Sequence, residues 1–169
     1  MKCKNNCIIT GDIENLKKLD LALNSNFNMQ DVVPLKDIHD EDEKLCTWGN
    51  ATAMQLQAYM FSDFAPEHIF FASITDAPNE LFWRNASRIY NVEVKYSFYN
   101  KEDKYIGLYT YKNGMLCDYE YYEDEKSKEY IDLLNKCKDN FLDLDVDEDI
   151  EEVIPKNKKV ISINDLRRR

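Results

Sequence analysis

The apolar positions of the chain fall into short blocks separated by polar punctuation, and their spacing decides which blocks are strands and which are helices. Asn5 to Thr10 (NNCIIT) is a short apolar run closed by Gly11, which predicts a first strand. Asp12 stands where a helix cap belongs, ahead of Ile13, Leu16, Leu19 and Leu23 at three- and four-residue spacing. Phe27 to Val33 (FNMQDVV) reads as a second extended stretch ended by Pro34, and Lys36 to Lys44 (KDIHDEDEK) as a polar loop. Apolar density returns at Leu45 to Gly49 and continues through Met60-Phe61. His68 to Ile74 (HIFFASI) is strongly apolar and ends in Thr75-Asp76-Ala77-Pro78. That ending predicts a helix start, with a side-chain oxygen at the cap and a proline in the first turn, where its missing N–H costs nothing. The helix should reach about Tyr90 and bury Phe82, Ala86 and Ile89.

Strands follow. Val92, Val94, Tyr96 and Phe98 alternate with Glu93, Lys95, Ser97 and Tyr99, a period of two with one buried face. Tyr105 to Lys112 and Met115 to Tyr122 flank Asn113-Gly114, the two-residue turn that hairpins favour because both positions tolerate positive φ. Ser127 to Asn140 is predicted helical, with Tyr130, Leu133, Leu134 and Cys137 as its stripe. This order of elements suggests an α+β fold: a ferredoxin-like sandwich with a largely antiparallel sheet, helices on one face, a C-terminal helix and a charged tail. The natural division is a compact domain over 1–140 and an extension over 141–169 that is first acidic, then basic. Between Asp118 and Glu152 there are 15 acids and 4 lysines; from Val153 to Arg169 there are six bases and one acid.

Several short motifs give this outline a family likeness. Asn5 to Gly11 (NNCIITG), followed by a helix and then Asp31 to Leu35 (DVVPL), resembles the opening of the YubB-type ferredoxin-like proteins of phages and plasmids. Trp48-Gly49-Asn50-Ala51-Thr52 stands where that family carries Trp-Gly-Thr-Lys-Trp, and Ile74 to Pro78 where it carries a Trp-x-Pro-Pro helix start. Ile89-Tyr90-Asn91-Val92 is similar to its Tyr-Pro-x-Val strand, and Gly107 to Gly114 to its glycine-bearing hairpin. The likeness spans about residues 4 to 122; Trp48-Gly49 is kept, while the second Trp, the Lys and one Pro are not. It implies a fold and a mobile-element origin, and no activity.

Composition narrows the chemistry. Acids outnumber bases 32 to 22, a formal charge of −10, with a pI near 4.7. Such a charge argues against direct nucleic-acid binding, which gains its affinity by neutralising phosphates. No run of about 20 apolar residues exists to span a membrane. Met1 to Asn6 does not lead into the apolar region of a signal peptide, so a cytoplasmic location is expected. Five scattered cysteines fit reduced thiols. Cys3 and Cys7 with Cys46, His39 and His68 lack the paired spacing of a zinc site. A separation of four in a strand instead puts Cys3 and Cys7 on one face as two small buried thiols. Asp143-x-Asp145-x-Asp147 opens like a calcium loop, but Glu148 and Ile154 occupy the places that need Gly and Glu. Neither histidine has the setting of a general base, and with four glycines there is no phosphate-cradling loop. No cofactor, no metal and no enzymatic activity are expected.

Eight of the eleven tyrosines lie between Tyr96 and Tyr122. Half should pack in the core by strand alternation, and the remainder suit a protein interface, where Tyr and Trp bury large area at low entropic cost. Base stacking on an aromatic sheet face, as a small-ligand or nucleotide module would use it, is the alternative. The leading expectation is a phage or mobile-element protein that binds and inhibits or modulates a host or defence protein, for example as an anti-CRISPR. A basic nucleic-acid-binding cleft on that partner would suit an acidic surface. The residues expected to meet it are Trp48, Tyr119, Tyr121 and Tyr122, with Asp143, Asp145, Asp147, Glu148 and Asp149 of the tail.

The tail interleaves Phe141, Leu142, Leu144, Val146, Ile150, Val153 and Ile154 with seven acids. Such a segment can add to a sheet or anchor in a basic groove; the alternative is an acidic linker folded back on the basic end. Truncation after Asn140 is expected to leave a folded domain, while target binding weakens and falls as salt rises. A truncated chain that unfolds would show that the segment belongs to the core sheet.

Overall fold

In a computed structural model the structure is described for residues 3–24, 26–62 and 68–138. Among the described residues, six strands and five helices follow one another as β1 (Cys3–Thr10), α1 (Ile13–Asn24), α2 (Met29–Val32), α3 (Glu41–Trp48), β2 (Gln55–Ser62), β3 (His68–Thr75), α4 (Glu80–Tyr90), β4 (Glu93–Asn100), β5 (Tyr105–Lys112), β6 (Met115–Tyr122) and α5 (Lys128–Cys137). The strands form one sheet in the order β2-β3-β1-β4-β5-β6. Every neighbouring pair is antiparallel. The fold is therefore α+β around a single six-stranded antiparallel sheet.

The strand alternation read from the sequence decides the faces. Cys3, Cys7 and Ile9 of β1, Phe71 of β3, and Val94, Tyr96 and Phe98 of β4 are all buried. They form one core with Leu16, Leu19 and Leu23 of α1 and Phe82, Trp83 and Ala86 of α4. A separation of four does place Cys3 and Cys7 on the same buried face. The opposite face carries a second, smaller cluster, in which Tyr130, Leu133 and Cys137 of α5 pack on Ile106 with Tyr99, Leu108 and Tyr122 around them. Lys136 adds an ion pair to Glu120 of β6 at 3.5 Å. The helices thus lie on both faces, because the stripe on α5 meets the apolar parity of β5 that points away from α4.

Three local expectations are corrected. Residues 27–33 are not extended: Asn28 accepts the Gln30 N–H at 3.0 Å and caps the single turn of α2. The Gln30 amide then brackets the Leu35 backbone through both its oxygen and its nitrogen. The polar run 36–44 is only half a loop, since Asp40 caps α3 by accepting from the Glu43 N–H. Its first turn, Glu41, Asp42 and Glu43, places acids at the positive end of the helix dipole. Third, α4 departs from its expected form: it starts at Glu80, with Asn79 at the cap making no side-chain capping hydrogen bond and Pro78 ahead of the cap rather than in the first turn. It buries Phe82, Trp83, Ala86 and Ser87, while Ile89 is 42 % exposed.

The Asn113-Gly114 hairpin forms as expected, with both residues at positive φ (47° and 80°). Gly107, in the middle of β5, has a different reason to be glycine. Its Cα faces the Phe98 ring of β4 so closely that an added Cβ would overlap three ring carbons. Gly107→Ala should therefore cost about 1–3 kcal/mol by overpacking. The loss is read as a lower denaturant midpoint, and an unchanged midpoint would show that the ring can step aside.

Candidate functional site

Beyond the N-terminal end of α4, the face of β4, β5 and β6 that the helix covers elsewhere is left open and is paved with aromatic rings. Phe98 is 2 % exposed and forms the floor. Around it stand Tyr109 at 5.3 Å, Tyr105 at 6.1 Å and Tyr121 at 6.2 Å between ring centroids. Tyr105 and Tyr121 are themselves 6.3 Å apart, and Tyr119 continues the pavement 6.1 Å from Tyr109. Strand register places them so: Tyr109 pairs with Tyr119, and Gly107 with Tyr121, so all four residues face the same way. Phe98, Tyr105, Tyr109 and Tyr121, with Gly49, Asp76, Ala77, Pro78, Glu80 and Asp103, line a cleft of about 450 Å³.

Each carboxylate is brought in by a different element. Asp76 follows β3, and Glu80 opens α4. Asp103 sits in the β4–β5 turn, where its N–H donates to Asn100 Oδ1 at 2.9 Å and its Oδ2 accepts from Asn100 Nδ2 at 3.0 Å. Gly49 ends α3 in the left-handed conformation, φ 80°, and its Cα faces the Glu80 side chain. This is the structural use of Trp48-Gly49. The tryptophan packs edge-on against Phe82 and the glycine turns the chain beside the cleft.

The electrostatics of the cleft are negative throughout. Burial holds the Glu80 carboxyl above its usual range. It also raises the phenols, first by desolvation and then by nearby negative charge: Glu80 acts on Tyr109 and Glu123 on Tyr121. Tyr105 is raised too, chiefly by burial, with Cys3 and Asp103 adding to it. The ten lining residues include three carboxylates and no Lys, Arg or His. Of the neighbouring cations, Lys104 is turned to Glu125 at 3.0 Å and Arg84 donates to the Gly114 carbonyl at 2.7 Å. Among the described residues no group of three or more His, Cys, Asp or Glu is gathered so as to hold a metal ion.

The residues expected at a partner surface are divided by this geometry. Tyr121, 38 % exposed, lines the cleft, and Tyr119, 64 % exposed, extends it. Tyr122 belongs to the other face, packed beneath α5. Trp48 is not a surface residue: it is 4 % exposed and donates its indole N–H to the Val33 carbonyl at 2.8 Å. Its remaining edge borders a separate groove with Phe27, Met29 and Met54. Asp143, Asp145, Asp147, Glu148 and Asp149 lie outside the described residues. The residues that sequence reasoning missed are Phe98, Tyr105, Tyr109, Asp76, Glu80 and Asp103. The i, i+4 placement of Tyr105 and Tyr109 about Gly107 was the available signal, since it puts two tyrosines on one face with a gap between them.

No helix of the described residues is long and apolar enough to cross a membrane. No family model matches the chain, and no curated protein matches it. Among solved structures, the protein api92 from Yersinia pseudotuberculosis (family-model DUF1281) is similar at 13 % identity and a TM-score of 0.46, covering 59 % of this chain. The chain spans 40 % of that protein's length.

The cleft has a pH signature. Tyr121 is pushed up to about 12 by burial and by its hydrogen bond to Glu123. A phenol raised in the folded state contributes stability that is complete below its unfolded value near 10 and is lost as pH rises towards 12. Denaturant midpoints should fall across that window, and Tyr121→Phe should flatten the fall. An identical pH profile for the variant would show that Tyr121 is not held up by its surroundings.

Proposed function

We propose that this protein is a binding protein without catalytic chemistry of its own, which engages a basic partner through the acid-rimmed aromatic cleft. The partner class we favour is a host or defence protein with a basic nucleic-acid-binding surface, inhibited or modulated in the manner of an anti-CRISPR. One observation carries the reading: four aromatic rings and three carboxylates converge on one open cleft whose lining holds no cation. Clefts lined by a single sign of charge focus the field and speed association with an opposite partner, and tyrosines supply area at low entropic cost. The ionisable groups of the lining are carboxylates and phenols, a combination suited to receiving a cationic side chain. A nucleotide suits it less, because its phosphates would meet Asp76, Glu80 and Asp103.

The setting proposed for this activity is the host cytoplasm, with a phage or plasmid origin as the YubB-type likeness implies. The strand and helix order supports a ferredoxin-like core in that reading. β1-α1-β2-β3-α4-β4 run in the spatial order β2-β3-β1-β4, with α2 and α3 inserted before β2 and with β5 and β6 added beside β4.

A panel of purified CRISPR effectors, nucleases and restriction complexes tests the reading by surface binding at two salt concentrations. At least one member should bind, with affinity falling as salt rises, and the Tyr109→Ala/Tyr121→Ala double variant should bind it about tenfold or more weaker. A panel with no binder, or a variant that binds as well as the native chain while remaining folded, would overturn it.

A further inference from the structure

We infer that the cleft is a guanidinium pocket: it takes one arginine side chain of a partner, with the planar cation over the Tyr105, Tyr109 and Tyr121 rings and its N–H groups turned to Glu80 and Asp103. This rests on the partner-binding role proposed above and names the group that the site recognises. Size is the first argument. About 450 Å³ holds the head of a long side chain or a small ligand, and not a folded segment.

The second argument is the pairing of ring faces with carboxylates. A cation within about 6 Å of a ring centroid is attracted by the ring quadrupole, and the attraction strengthens as the site is desolvated. Here Phe98 is buried and Glu80 half-buried, so the floor and one acidic wall are already partly dry. The desolvation that raises the Glu80 carboxyl is what a bound cation would relieve. Asn100 helps to place Asp103 for such a cation, accepting its backbone N–H and donating to its carboxylate Oδ2.

The choice of arginine over lysine follows from geometry. Asp103 stands in the β4–β5 turn and Glu80 on the first turn of α4, so the carboxylates come from separate elements around the aromatic floor. A guanidinium presents five donors in a rigid planar fork that can stack on a ring while reaching acids in two directions. An ammonium is a compact and strongly hydrated point charge that gives up more water to enter. Arginine is also the basic residue over-represented in binding hot spots, together with tyrosine.

The test uses the full 169-residue chain and two capped tripeptides, acetyl-Gly-Arg-Gly-amide and acetyl-Gly-Lys-Gly-amide, titrated while ring and backbone NMR shifts are followed. The arginine peptide should move the signals of Tyr105, Tyr109, Tyr121 and Asp103, and bind about fivefold or more tightly than the lysine peptide. Tyr121→Ala and Asp103→Asn should each weaken it several-fold, and Tyr121→Phe, which keeps the ring, should not. Equal affinity for the two peptides, shifts that map elsewhere, or an unaffected Tyr121→Ala variant with native melting would overturn the pocket. The two readings fail separately. A panel protein bound through the cleft, whose affinity is unchanged when its interface arginines become lysines, sinks the pocket and keeps the partner role. An arginine preference with no bound protein in the panel does the reverse.

Discussion

One extra residue in β6 decides what the tyrosines do. The hairpin begins in the register that a two-residue turn imposes, Lys112 opposite Met115 and Tyr111 opposite Leu116. It then shifts, so that Thr110 pairs with Asp118 and Tyr109 with Tyr119, and Cys117 is the residue left over. A slip of one residue moves every side chain of a strand to the other face. Without this bulge, Tyr109 would stand opposite Asp118, and Tyr119 and Tyr121 would point to the α5 side. With it, Tyr119 and Tyr121 join Tyr105 and Tyr109, while Tyr122 goes beneath α5. Gly107 completes the arrangement, because only a residue without a side chain lets the Phe98 ring lie across β5 and become the floor of the cleft.

The acidic wall of the cleft depends on a second, buried set of interactions that fixes where α4 begins. Tyr96, fully buried on β4, accepts the Asn79 N–H at 2.9 Å and donates to Asn5 on β1. Asn5 donates in turn to Thr75 Oγ1 at 2.8 Å, and Thr75 donates to the Ala77 carbonyl at 2.6 Å. Three strands thus hold the β3–α4 junction on which Asp76 and Glu80 are carried. In a low-dielectric interior such a chain of bonds is costly to break, since each orphaned group loses its full solvation. Asp76 and Glu80 are carried on a β3–α4 connection that hydrogen bonds tie to β1, β3 and β4.

This division explains what could be read from the sequence. Apolar alternation in β4, the Asn-Gly turn, and the stripes of α1 and α5 are statements about neighbours in the chain, and they appear in the structure much as the pattern implies. Where short polar residues competed for the backbone, the pattern misled. Asn28 and Asp40 each cap a helix inside stretches that read as strand and as loop. The cleft was only half legible: tyrosine enrichment pointed to the hairpin, but the bulge that sorts Tyr121 from Tyr122 has no signature in composition. Trp48 misled for a related reason. An aromatic residue beside a glycine suits an interface, yet a hydrogen bond to Val33 and the edge of Phe82 place it inside.

An aromatic sheet face has two physical uses, and charge separates them. Bases stack on such faces, but each base arrives with a phosphate, and proteins that use the stacking line it with Lys and Arg. Here the rings are bordered by Asp76, Glu80 and Asp103, and Tyr121 donates to Glu123 at 2.8 Å, so the phenol's proton is committed to an acid. Lys104, next to Asp103 in the β4–β5 turn, pairs with Glu125 at 3.0 Å. A cleft so arranged disfavours the phosphates that stacking would bring with it and suits a cationic group instead. On the reading proposed above, the acidity of the cleft and the clustering of its tyrosines serve one end, the recognition of a cationic group.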